Sequence, residues 1–266
     1  MNVMKKSWLA FMLVLACFAA ACSSNTLQQS VPAFKSVNVI KKDNPPKTFI
    51  PGEMNIVAIG DSLTAGVGDK SGKGGYVGTL KRKLEQEMGY RNILINNHAV
   101  GGHTTNNLIT RLEDSQVIDS LEQADMVVMT IGGNDVMRVV RNHFFQLTIE
   151  PFQREQQNFG SRFEKIVSEI RSHNEEATIV FVGLYNPFKY ALPELSEIDS
   201  VVGDWNDRTN ETLTRDGNAL FVPIADIFEI SSVRNLLAED EFHPNGNGYE
   251  LMGERVFEVL VANEDL

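Results

Sequence analysis

The 266-residue sequence has little cysteine: Cys17 and Cys22 are the only two, and both fall within the first 22 residues. The rest of the chain therefore has no disulfide and no cysteine zinc site available, and depends on its core for stability. Basic charge is also scarce, with 24 Lys and Arg against 35 Asp and Glu and a formal net charge of −11. That balance argues against nucleic acid as a partner, because phosphate binding needs a basic face. The uncharged N-terminal run, Ser7 to Ala21, is shorter than the roughly 20 residues of a membrane-spanning helix. With 42% hydrophobic residues, 20 glycines and 9 prolines, the composition is that of one globular domain and excludes collagen-like and low-complexity classes.

The N-terminus reads as an address. Lys5 and Lys6 precede the apolar run, and Ala19-Ala20-Ala21 precede Cys22, the pattern of a secretory leader. Small residues ending in cysteine resemble the bacterial lipobox, which implies cleavage before Cys22 and a diacylglyceryl group on its thiol. Cys17 is a weaker competitor, and an ordinary secreted protein is the alternative. On this reading residues 1–21 are a lipoprotein signal peptide, and residues 22–50 are the lipidated Cys22 with a polar tether containing Pro45-Pro46. The expected location is the extracytoplasmic face of the cell membrane, held by a lipid anchor. Loss of residues 1–21 removes two lysines and no acids, so the mature charge becomes −13. Membrane residence would then depend on acyl chains rather than on a basic patch.

From residue 54 short apolar runs alternate with helical periods, the signature of an α/β fold with a parallel sheet. Five strands are expected, at Met54–Ile59, around Ile93–Ile95, and at Met126–Ile131, Thr178–Leu184 and Ala219–Ile224. Val77, Leu80, Leu84 and Met88 form one helical stripe, closed by Gly89. Further helices carry Phe159, Phe163, Ile166 and Ile170, then Ile198, Val202 and Trp205, then Tyr249, Met252, Val256 and Leu260. Residues 51–266 thus form a single body, its sheet sandwiched by helices.

Such sheets bind ligands outside the carboxyl ends of their strands, and four polar loops are expected there. Gly60-Asp61-Ser62 follows the first strand, Asn97 to Thr105 the second, and Gly132-Gly133-Asn134-Asp135 the third. Asp240-Glu241-Phe242-His243-Pro244 arrives after the fifth. A serine hydroxyl becomes a nucleophile when an imidazole takes its proton and a carboxylate fixes that imidazole. Ser62, His243 and Asp240 offer those three groups. The Ser62 N–H, a glycine N–H from the second loop and the Asn134 amide are candidate donors to an oxyanion.

Gly60-Asp61-Ser62-Leu63, Gly102, Gly132-Gly133-Asn134-Asp135 and Asp240-Glu241-Phe242-His243-Pro244 together resemble blocks I, II, III and V of the SGNH, or GDSL, hydrolase superfamily. The resemblance covers about residues 54–262. It implies a flavodoxin-like three-layer α/β/α sandwich and hydrolysis of esters and thioesters. It also implies Ser62 as nucleophile, His243 as base, Asp240 as its orienting acid, and Ser62, Gly102 and Asn134 as the oxyanion hole. With its leader, the chain resembles a YpmR-like bacterial lipoprotein branch of that superfamily. No cofactor and no metal are expected. Partners would be a small-molecule or lipid ester and the membrane, with no nucleic acid. An O-acetylesterase acting on cell-wall or extracellular polysaccharide and a non-catalytic envelope binding lipoprotein are the alternatives.

Other polar groups have simpler readings. Asp61 reads as a helix-start acid, and Asp135 as a residue that holds its loop. His98 and His103 lack the companions of a metal site. Phe144, Phe145, Phe152 and Phe159, with the segment Tyr185 to Tyr190, are candidates either for an acyl pocket or lid or for plain core packing.

Overall fold

The computed structural model describes residues 52–145, 148–189, 197–229 and 235–263. The leader, Cys22 and the tether lie outside the described residues. Five strands, β1 (Met54–Gly60), β2 (Ile93–Asn97), β3 (Met126–Thr130), β4 (Thr178–Val182) and β5 (Ala219–Val222), form one sheet in the order β2-β1-β3-β4-β5. Every pairing is parallel, with Ile56 opposite both Ile95 and Met126 in register. The helices are α1 (Gly75–Glu87), α2 (Thr105–Arg111), α3 (Ser115–Leu121), α4 (Gly133–Asn142), α5 (Ile149–His173), α6 (Glu197–Thr214) and α7 (Gly246–Ala262). A short 3₁₀ turn covers Ala225–Phe228.

β3 and β4 are buried at every position, which is why MVVMT and TIVFV read as near-continuous apolar runs, with threonine only at one end of each, rather than alternating ones. Alternate residues supply two separate cores. Val57, Val127 and Phe181 pack with Phe163 of α5 and Trp205 of α6, whereas Ile56, Val128 and Val180 pack with Leu80 of α1 and Met252 of α7. The result is the expected three-layer sandwich.

The strand order places the site. The chain leaves β1 toward β2 on one side and leaves β3 toward β4 on the other, so the carboxyl ends of β1 and β3 border the crevice where such sheets bind ligands. β1 ends at Gly60, whose φ is +118°, and a Cβ there would fall on the Thr130 carbonyl oxygen. Only glycine tolerates both conditions, and they allow the chain to turn out at Asp61 and Ser62 while staying against β3. The Asp61 N–H donates to that same Thr130 oxygen at 3.0 Å.

Candidate active site

Ser62 and His243 stand 181 residues apart, yet Ser62 Oγ lies 2.8 Å from His243 Nε2. His243 Nδ1 lies 2.6 Å from Asp240 Oδ2. A carboxylate accepts only, so Nδ1 carries the proton and Nε2 is left to accept from the serine hydroxyl. This is the geometry of a nucleophile, a base and an orienting acid.

Local chain chemistry builds the acid–base half. Leu237 bridges Pro244, and Ala238 N–H donates to the His243 carbonyl at 2.7 Å, closing a tight loop. Within it Asp240 Oδ1 accepts from the N–H groups of Phe242 and His243 at 3.0 and 2.9 Å. Glu241 takes the left-handed φ of +52°, a strained conformation for a residue with a Cβ. Tyr185, after β4, donates its hydroxyl to the Phe242 carbonyl at 2.5 Å and fastens the loop to the sheet. Burial pushes the Asp240 carboxyl upward, but its bonds to the His243 ring and to the two N–H groups outweigh that effect and hold it below the ordinary range.

Asp61 does more than start a helix, because turns rather than a helix follow it. Its Oδ1 accepts from Leu63 N–H at 3.1 Å and from Thr130 Oγ1 at 2.7 Å. Thr130 Oγ1 in turn contacts Thr64 Oγ1 at 2.7 Å, and Thr64 Oγ1 contacts the Tyr76 hydroxyl at 2.7 Å. This buried chain of hydroxyls pins the turn on both sides of Ser62. Burial raises the Asp61 pKa from 3.8 to about 6, with the bonds from Thr130 and Leu63 opposing the rise.

The N–H groups of Ser62 and Gly102 donate to nothing among the described residues, and Asn134 Nδ2 uses one bond, to the His103 carbonyl at 3.0 Å. Each therefore has a hydrogen free to donate, Asn134 its second. A Cβ on Gly101 would sit 3.9 Å from Ser62 Cβ, so the second loop passes beside the serine. Asp135 ties this loop to α4 by accepting from Thr105 N–H and Oγ1, both at 2.9 Å. Burial raises the Asp135 pKa, against the pull of Thr105, Arg162 and Arg138. Glu155 bridges the two arginines at 2.6 Å each. The roles of Thr130, Tyr185 and Arg162 have no sequence signal beyond residue type, since each contributes through a long-range contact.

Beside Ser62 opens an apolar cavity, lined by Met137, Leu184, Phe188, Ile198 and Val202 among others. Of the aromatic candidates, Tyr185 and Phe188 line it, Phe152 and Phe159 belong to the core, and Phe144 and Phe145 do neither. Tyr190 lies outside the described residues. His98 bonds Ser120 through Nε2 at 2.8 Å, and no group of three or more metal-ligating side chains occurs among the described residues.

The model of the GDSL-like Lipase/Acylhydrolase family matches residues 58–251. The chain is 44% identical over 206 residues to the Bacillus subtilis (strain 168) protein called Uncharacterized protein YpmR, covering 77% of this chain and 80% of that one. It is 28% identical over 213 residues to Spore germination lipase LipC of Bacillus licheniformis, covering 76% and 94%. Among solved structures, the lipase Lip_vut3 from a goat rumen metagenome superposes with a TM-score of 0.70 at 22% identity, over 77% of this chain and 97% of that one. The lipase/acylhydrolase from Enterococcus faecalis does so at 0.56 and 20%, over 79% and 96%. These two likenesses concern the fold.

Proposed function

The chain belongs to the GDSL-like lipase/acylhydrolase family and is an ester hydrolase, and on that premise we propose that it cleaves aliphatic carboxylic esters through an acyl-enzyme on Ser62. The observation that carries this reading is the Ser62–His243–Asp240 chain of contacts at the mouth of an apolar cavity. Ser62 Oγ attacks the carbonyl carbon while His243 Nε2 takes its proton. The carbonyl oxygen, now negative, receives bonds from Ser62 N–H, Gly102 N–H and Asn134 Nδ2. As the intermediate collapses, His243 returns the proton to the leaving alkoxide and the acyl group stays on Ser62. Water then repeats the sequence in reverse roles, releasing the acid and restoring the serine. Asp240 keeps the imidazole in the required tautomer throughout.

The cavity favours an acyl chain over an acetyl group, because its lining offers hydrocarbon well beyond one methyl. That supports a lipid or other aliphatic ester ahead of a polysaccharide O-acetyl group. The leader pattern that ends before Cys22 supports an enzyme tethered on the extracytoplasmic face of the membrane. No metal takes part in this scheme. The test is turnover of p-nitrophenyl acyl esters of increasing chain length by wild type and Ser62→Ala. Turnover by wild type that is abolished in the variant and indifferent to chelator is the expected result, and turnover surviving in Ser62→Ala would overturn the mechanism. A fluorophosphonate that labels wild type but not the variant would exclude a purely binding role.

A further inference from the structure

Phe144 and Phe145 lie just past the end of α4, and they are 61% and 96% exposed, with their rings edge-on at 5.5 Å. Large aromatics left this open are costly in water and mark a surface that meets another phase or partner. Their position is informative. Met137, in the same helix, lines the acyl cavity, and the helix runs on from it to Asn142, two residues before Phe144. Val67 and Val100, 40% and 38% exposed, lie on the loops after β1 and β2, the second of which passes beside Ser62, and add exposed apolar surface there.

Unpaired basic charge lies close to the pair along the chain. From Asp135 to Glu155 three arginines, Arg138, Arg141 and Arg154, stand against three acids, Asp135, Glu150 and Glu155, but Arg138 is paired with both Asp135 and Glu155. Arg141 and Arg154 form no ion pair among the described residues, and Glu150 is bonded to Thr148. Exposed aromatics flanked by free arginines match the interface of an anionic phospholipid surface, where rings sink among the acyl chains and guanidinium groups meet phosphates.

We propose that the Phe144–Phe145 tip, with Arg141, docks on anionic phospholipid and brings the mouth of the Ser62 cavity to esters held in that surface. The proposal deepens the ester-hydrolase reading and rests on it for the substrate, but the docking itself is measurable without turnover. In the purified full-length chain, Phe145→Trp reports depth at that one position: its emission, taken as a difference from wild type, should shift to the blue with phosphatidylcholine vesicles containing phosphatidylglycerol. The double variant Phe144→Ser/Phe145→Ser should lose about ten- to hundredfold in turnover of an acyl ester embedded in those vesicles, given the two rings withdrawn from burial. Its turnover of dissolved p-nitrophenyl butyrate should stay that of wild type. Arg141→Glu should weaken the vesicle reaction only when phosphatidylglycerol is present. Difference emission from Phe145→Trp that does not move on adding vesicles, or an equal ratio of vesicle to dissolved turnover in wild type and double variant, would overturn the docking while leaving the hydrolase intact. A dimer that forms without lipid and is lost in the double variant would make the pair a contact between copies and also overturn it. Failure of wild type on the dissolved ester, with the Phe145→Trp emission still shifting, would instead count against the catalytic reading.

Discussion

Thr130 Oγ1 donates to Asp61 Oδ1 at 2.7 Å, inside the protein, while the adjacent Ser62 turns its hydroxyl outward to His243. The two halves of one dipeptide thus serve the core and the site. Asp61 is an acid whose pKa rises on folding, from 3.8 to about 6. Between those values the folded chain keeps a proton that the unfolded chain has released, so this residue's contribution to stability falls as pH rises and is fully lost above 6. A rise of that size corresponds to ~3 kcal/mol. Asp61→Asn retains Oδ1 as the acceptor for Thr130 and Leu63 but cannot ionise. Denaturant unfolding should show the variant gaining on wild type by ~3 kcal/mol between pH 3.5 and pH 7. A difference that does not change with pH would show that Asp61 is not held protonated by its burial.

Asp240 presents the opposite case, a carboxyl held below its ordinary range by bonds it makes only in the folded loop. Asp240→Asn keeps an oxygen for the N–H groups of Phe242 and His243 but offers His243 Nδ1 an amide, which favours the wrong tautomer. Turnover should fall by about 10⁴ with KM little altered, as expected when an orienting acid is neutralised. A loss confined to KM would mean that Asp240 shapes binding rather than the base.

The cavity makes a prediction about chain length. Each methylene buried is worth about 0.8 kcal/mol, or roughly fourfold, so wild-type kcat/KM should climb from acetate toward longer esters. Met137 lines the cavity and is only partly buried in the core. Met137→Trp should fill part of the space and flatten that climb while acetate turnover persists. An unchanged chain-length profile would place the acyl chain elsewhere.

The parts of this molecule that sequence reveals are those encoded by local pattern. The β3 and β4 runs are buried at every position and apolar but for Thr130 and Thr178 at their ends, because both faces are covered, and Gly89 takes a left-handed φ of +74° just beyond α1, as a helix stop requires. Ser62, Asn134, Asp240 and His243 are readable because each lies in a short motif next to a strand end or in one tight loop. α2, α3 and α4 are not: their seven to ten residues are too short for a clear period. Asp61 resembles a helix-start acid in sequence because its acceptor role toward Leu63 is local, whereas its bond with Thr130 spans 69 residues. Phe144 and Phe145 read as pocket or core candidates by composition, and only the course of α4 shows them outside both.

Asp135 tests whether the second loop is placed by the brace beneath it. The Asp135 side chain is fully buried and receives Thr105 twice, and Arg162 Nε donates to the same Thr105 hydroxyl at 2.6 Å. Thr105 opens α2 three residues after Gly102, so any slack there is passed to the N–H expected to meet the oxyanion. Asp135→Ala removes the acceptor from a buried N–H and one of the two carboxylates that pair with Arg162, which should cost about 3–5 kcal/mol. Because Asp135 touches neither Ser62 nor the cavity, the kinetic effect should fall on kcat, by about 10²-fold if the oxyanion donor is displaced, with KM for a short ester nearly constant. Asp135→Asn, which still presents Oδ1 to Thr105, should recover most of that kcat while remaining less stable than wild type. A variant whose kcat falls no further than its folded fraction would show that the brace stabilises the domain without placing the loop.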